Sequence, residues 1–378
     1  MKLRIILSIV SLIFANSVSA VEPCFLYDLR ARSQSIITIS QSSIPVQRTS
    51  FVNATWREFK GNIQEGLFII CDGEIQISSC ELINLDMNKS RLKFPNLFNL
   101  TITGWGNIDE RTNKEQENRL SILFAEGNFQ NLSSFSYFGN RLNLPAEVEN
   151  LEYLTCLELL GADRLVLPRE IGKLVHLNRL ILSNSKILSI PAEIGNLQNL
   201  KVLDIRESNL KEFPNEICLL SNLSVLDISG NEFTALPEQI GNLKYLGILN
   251  LSYNELVDLP EEIWNLVNLN TLDLSHNQLT NISPKIENLK SLEDLDIKDN
   301  KLTGLPMELG FLGSLKSLSF SNNDFDKIPS NIFELPLLKE LVINKEFMRY
   351  VRRDRIFSIS MQNNEYTITL DISEPKTR

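Results

Sequence analysis

The sequence predicts an α/β repeat solenoid: a curved horseshoe with a parallel sheet on its concave side and short helical or 3-10 arcs on its convex side. A fixed period is the first reason. Leu246, Leu249, Leu251, Asn254, Leu256, Leu259 and Pro260 return 23 residues later as Leu269, Leu272, Leu274, Asn277, Leu279 and Ile282. They return again as Leu292, Leu295, Ile297, Asn300, Leu302, Leu305 and Pro306. A repeat of this length is one supersecondary unit that buries its apolar face only against its neighbours. Alternation is the second reason. Each xLxLx stretch puts apolar side chains on one face of a half-buried strand. The third is the LPxEIGNL segment that follows, where Pro fits a helix start and Glu147, Glu170, Glu193, Glu216, Glu262 and Glu308 sit near its positive end.

The motif LxxLxLxxNxL followed by xxLPxxIGxL resembles the leucine-rich repeat family in its 23-residue form, similar to bacterial and Ras-group members. The resemblance implies stacked parallel strands. It also implies that each turn Asn bonds neighbouring backbone groups, and that the fold presents a surface rather than performing chemistry. Its likeness to secreted bacterial members suggests host or envelope interaction.

In chain order, residues 1–20 read as an export signal. Lys2 and Arg4 form a charged start, Ile5–Phe14 an apolar segment, and Val18-Ser19-Ala20 a small-residue cleavage site. The apolar run is shorter than the ~20 residues of a membrane span. The expected locations are secreted, cell-surface or periplasmic, with cleavage near Ala20. Residues 21–81 have no period and read as an N-terminal cap or small domain, with short strands at Ile36–Ile39 and Leu67–Ile70. Export permits disulfides, and Cys71 with Cys80 is a possible pair among the five Cys. Residues 82–131 read as decayed repeats: Leu82, Leu85, Met87, Ser90, Leu92 and Phe94-Pro95 fit the motif, and Leu97, Leu100 and Ile102 start another. The polar run Asp109–Arg119 interrupts them as a solvated loop or extruded helix.

Regular repeats occupy residues 132–343, beginning at Leu132, Leu154, Leu177, Leu200, Leu223, Leu246, Leu269, Leu292 and Leu315, with a partial one at Leu338. Two departures stand out. Ala162, Ser185 and Ser208 replace the turn Asn, so the side-chain ladder is expected to be weakest there. Pro284 follows Ser283 and comes one residue late, which predicts a local kink. Residues 344–378 read as a C-terminal cap: Lys345, Arg349, Arg352, Arg353 and Arg355 form a basic patch, and Ile356–Ser360 with Tyr366–Ile372 form a β-hairpin around residues 362–365.

Net charge is −10 and pI about 5.0, which repels phosphate backbones and disfavours nucleic acid. No Gly-rich phosphate loop, CxxC pair or cofactor motif is present in the sequence. His276 and Cys156 stand five strands apart, roughly 24 Å, too far for a Cys–His dyad. Ser275, His276 and Asp299 would lie together on an open sheet without an oxyanion hole. The expectation is a non-enzyme without cofactor or bound metal. Its candidate contact residues lie on the concave face. One column reads Asp204, Asp227, Asn250, Asp273 and Asp296, and beside it stand Tyr253, His276 and Asp299. That acidic strip favours a basic protein partner, and its central aromatic pair is a contact anchor. Ten strands give a face on the order of 700 Å², near the ~800 Å² each partner buries in a standard interface. The alternative role is a structural or envelope protein that assembles through its caps; a hydrolase is the remaining alternative.

Overall fold

The computed structural model describes residues 54–55, 73–78, 97–104, 110–351, 355–362 and 365–370. All lie in the unit Ser50–Arg378; the other unit, Met1–Thr49, lies outside them. The signal segment, the strands expected at Ile36–Ile39 and Leu67–Ile70, the Cys71–Cys80 pair and the Leu82–Pro95 repeat also lie outside the described residues.

One repeat explains the rest. In Leu223-Ser224-Val225-Leu226-Asp227-Ile228, the residues Leu223, Leu226 and Ile228 are fully buried, because alternation turns them inward. The strand Val225–Asp227 pairs in parallel with Val202–Asp204 on one side and Ile248–Asn250 on the other, residue for residue at an offset of 23. The described sheet has 15 strands. It runs from Ala54–Thr55, Gly73–Ser78 and Leu97–Gly104 through Ser134–Gly139 and the repeat strands to Glu340–Asn344, all parallel. It ends in an antiparallel hairpin, Glu365–Leu370 then Ile356–Gln362. The strands at Ala54–Thr55 and Gly73–Ser78 carry no repeat signature and were not read from the sequence. In the hairpin, Ile368 and Leu370 close the core, and Arg355 donates to the carbonyls of Phe333 (3.1 Å) and Leu335 (3.2 Å). Arg355 therefore ties the cap to the last arc, rather than joining the expected basic patch.

From Ala146–Asn150 to Ser330–Glu334 each return leg is a five-residue 3-10 helix, such as Glu238–Asn242, and all but one are preceded by a Pro such as Pro237. The expected kink at Pro284 is absent. Ser283 takes the cap position with φ −64° and ψ 143°, the same angles as Pro260 in the preceding arc. Its hydroxyl accepts from the Lys285 amide, and Pro284 occupies the first helical position, where no N–H is needed. The polar run is not extruded either. It forms the α-helix Glu110–Leu123, whose end inserts Leu120, Leu123 and Phe124 into the core, where Phe124 meets Phe135 edge-on at 5.1 Å. Gln116 donates to the Tyr137 hydroxyl (2.9 Å), which donates to the Arg141 carbonyl (2.8 Å). This helix serves as its turn's arc.

Candidate functional site: the open face of the sheet

The predicted column is assembled in register: Asp204 beside Asp227, then Asn250, Asp273 and Asp296. Its chemistry differs from the exposed acidic strip the sequence suggests. Each side chain folds back onto its own strand exit. Oδ1 of Asp204 accepts from the Arg206 amide, that of Asp227 from Ser229, that of Asn250 from Ser252, that of Asp273 from Ser275, and that of Asp296 from Lys298. This is the Asx turn that Asp and Asn favour. It leaves Asp204 8% and Asp227 9% exposed. Two cations pair with three of the four carboxylates. Arg206 lies 3.2 Å from Asp204 and 3.8 Å from Asp227, and Lys298 lies 3.1 Å from Asp296.

Burial, reinforced by the neighbouring Asp227 charge and opposed by Arg206, pushes the Asp204 carboxyl up to about 7. Burial and Asp273, opposed by Lys298, push Asp296 up to about 7, and burial raises Asp273 against the hydrogen bonds from Ser275. The column is thus a structural turn element, with Arg206 and Lys298 paired to three of its four carboxylates.

The next row outward is different. Glu207, Gly230, Tyr253, His276, Asp299 and Asn322 all adopt left-handed backbone, φ between 51° and 64°. Tyr253 and His276 stack with centroids 4.0 Å apart and planes at 18°. The His276 Nε2 lies 3.3 Å from Asp299, which accepts from Asn322 (2.9 Å), and Asn322 donates to Glu365 of the C-terminal hairpin (2.7 Å). Tyr253 remains 52% exposed. Burial holds the His276 ring below its ordinary pKa, Asp299 pulling the other way. The structure therefore brings Tyr253, His276 and Asp299 together and separates them in character from the Asp column.

A second column escaped the sequence reading. Val202, Val225, Ile248 and Thr271 stand side by side on the open face, each half-buried. Applying the period one position before each strand leucine would have found it. It gives the face an apolar stripe beside the carboxylates, the composition expected at the centre of a protein contact. No described helix is long and apolar enough to cross a membrane.

The family description "Leucine-rich repeat region" matches residues 131–250 and 221–300, and "Leucine Rich Repeat" matches 314–335. Among solved structures, an internalin of Listeria monocytogenes is 21% identical at TM-score 0.55, covering 68% of this chain and 70% of its own. A TDR receptor is 26% identical at TM-score 0.54 over 74% of this chain, which spans about half (51%) of the receptor. A leucine-rich repeat protein of Leptospira interrogans is 22% identical at TM-score 0.47, covering 80% of this chain and 99% of its own. No curated protein matches. The residue period, the in-register parallel sheet and the two family descriptions agree, and the chain belongs to the leucine-rich repeat proteins.

Proposed function

We propose that this is an exported, non-catalytic binding protein that holds a protein partner on its concave face. One observation carries the reading: the half-exposed Tyr253 ring, stacked on His276, lies on the same face as the apolar stripe Val202–Val225–Ile248, with the Asp column between them. Left-handed backbone costs a bulky residue on the order of 1 kcal/mol, and solvent-facing rings recover little of it by packing. Such a cost is tolerated where the side chain is used. The export signal read at residues 1–20 and the receptor among the structural neighbours are in keeping with this role.

The test is affinity capture from host and envelope fractions with the chain and with a Tyr253→Asn, Val225→Lys double variant. Both changes lie on the open face, and Asn suits the left-handed position. A protein captured by the parent and lost by the variant at unchanged melting temperature is the expected result; equal capture overturns the reading. Reversing Asp227, Asp273 and Asp296 would be a poor test, since each holds a turn together.

A second reading is assembly through the C-terminal cap, because the last strand, Ile356–Gln362, exposes Phe357 (78%), Ile359 and Met361 on an outer edge. Such edges pair readily with a second copy. Light scattering across a concentration series decides it, a monomer throughout removing this alternative.

A further inference from the structure

We propose that the chain pairs with a second copy of itself along its last strand, Ile356–Gln362, antiparallel and about a two-fold axis at Ile359 that runs normal to the sheet. This pairing rests on the reading of assembly through the C-terminal cap and supplies its register and symmetry, while leaving the concave face free.

The strand closes the sheet, and among the described residues no further strand lies on its outer side. Alternate residues along it therefore turn N–H and C=O groups outward with no ladder partner. Native sheets blunt such edges with charge, proline or short length. Here the edge is seven residues long and reads Ile-Phe-Ser-Ile-Ser-Met-Gln, with no charge and no proline. A register shift at Phe357 is the one irregularity in its pairing, and it lies at the start. The hairpin register assigns the faces. Ile359 and Met361 stand opposite Ile368 and Tyr366, which stand opposite Leu341 and Ile343. Ile368, Leu341 and Ile343 are buried, whereas Ile359 is 47% and Met361 61% exposed. The apolar face of the sheet thus runs one strand past its cover. Ser358 and Ser360 point the other way, and Ser360 lies in line with Thr367, Val342, Ser319 and Asp296 of the open face.

The order of the residues selects the occupant. Phe357-Ser358-Ile359-Ser360-Met361 has the same pattern from either end, apolar and Ser alternating about Ile359. An antiparallel copy centred there sets Ile359 against Ile359 and each Ser358 against the other copy's Ser360. It also brings each Phe357 to the other copy's Met361, a favourable ring-to-thioether contact. A slip of one residue would set each Ser against an apolar side chain. Charge agrees. Arg355 precedes the strand and Glu365 follows its turn, so antiparallel pairing turns the basic end of each copy toward the acidic end of the other. A seven-residue strand is about 23 Å long, and its pairing takes less than the ~800 Å² per partner of a standard interface, so the dimer is weak and concentration-dependent. Because the axis is normal to the sheet, both concave faces stay on the same side. Two 15-stranded sheets become one, and a partner with two binding segments would meet both faces at once.

The test is sedimentation of the full chain from about 1 μM to about 1 mM, where a monomer–dimer equilibrium is expected. Ile359→Lys and Ile359→Glu each place two like charges at the axis, and each should weaken the dimer at least about tenfold. An equimolar mixture of the two variants should recover a dimer tighter than either forms alone, because position 359 of one copy faces position 359 of the other. Ile359 is half-exposed, so circular dichroism melts of both variants should match the parent's and show that they fold. A dimer undiminished in either variant, or lost in both and not recovered on mixing, overturns this register while keeping assembly through the cap. A chain that stays monomeric at every concentration overturns both, and leaves the edge to a different protein.

Discussion

Two stretches of one solenoid solve the same turn differently. From Asn231 to Asn323 the turn residue is always Asn. Asn254 is typical: its Nδ2 donates to the carbonyls of Ile228 (3.1 Å), Leu251 (3.0 Å) and Ser252 (3.3 Å), and its Oδ1 accepts from the Phe233 amide (3.1 Å). From Ala162 to Ser208 no amide is available. Ser208 aims its hydroxyl at Leu182 (3.3 Å) and Arg206 (3.1 Å), and Ser185 at Leu159 and Ser183 (both 3.2 Å) while accepting from the Ala162 amide (3.1 Å). The targets match the Asn pattern, but one hydroxyl has one hydrogen to share between them. Main-chain pairing is denser in this stretch. On the outgoing leg Arg141–Asn143 pairs in parallel with Arg164–Val166, and a bridge from Leu165 to Ile187 extends that second sheet. The Asn stretch makes one main-chain bond per repeat on the same leg, such as the Glu255 amide to the Phe233 carbonyl (2.9 Å), so the Ser and Ala repeats differ in carrying paired strands there as well. The two ladders serve different groups: the second sheet engages the carbonyls of Ala162, Leu165, Val166 and Lys186, while the Ser hydroxyls serve those of Leu159, Leu182, Ser183 and Arg206.

The sharpest way to break this comparison is Asn254→Ala. It strips three carbonyls and one amide of their shared partner in a buried site, and is expected to cost about 3 kcal/mol or more in denaturant unfolding. Ser185→Ala removes weaker, divided bonds beside a backbone ladder and is expected to cost about 1 kcal/mol. Equal losses at the two positions would mean that one divided hydroxyl serves its turn as well as the amide does.

How much of this was legible in the sequence depends on the range of the interaction. The strands, their register and the 3-10 arcs follow from the 23-residue period, because each repeat sees only copies of itself. The pairing of Tyr253 with His276 is legible for the same reason, since their positions differ by one period. What the period does not carry is direction beyond the strand. Alternation turns Asp204 and Asp227 outward, but the amides two residues later, in the turn, pull them down and bury them. The helix Glu110–Leu123 hides its core contribution in a polar composition, with Leu120 and Phe124 at the very end of the run. At Ser283 the pattern-breaking residue is harmless because a hydroxyl on an extended backbone does what the ring of Pro260 does one turn earlier.

The smallest expected effect turns on Asp204, which sits in the Ser stretch, against Asn250, its counterpart in the Asn stretch. Asn250 performs the same turn with no charge, accepting from Ser252 at 3.0 Å. Asp204→Asn should therefore keep the turn and remove only a buried carboxyl. That carboxyl has a folded pKa of about 7, above the ~3.9 of an unfolded Asp. Between those values the folded chain holds a proton that the unfolded chain releases, so the parent loses stability as pH rises from ~4 to ~7. The variant lacks this contribution. It should match the parent near pH 4 and melt slightly higher at pH 8, by an amount kept small because Arg206 loses one of its two carboxylate partners and retains Asp227. Thermal melts across that range decide it: a variant whose deficit grows with pH would show that the ion pair with Arg206 outweighs the cost of burying the charge.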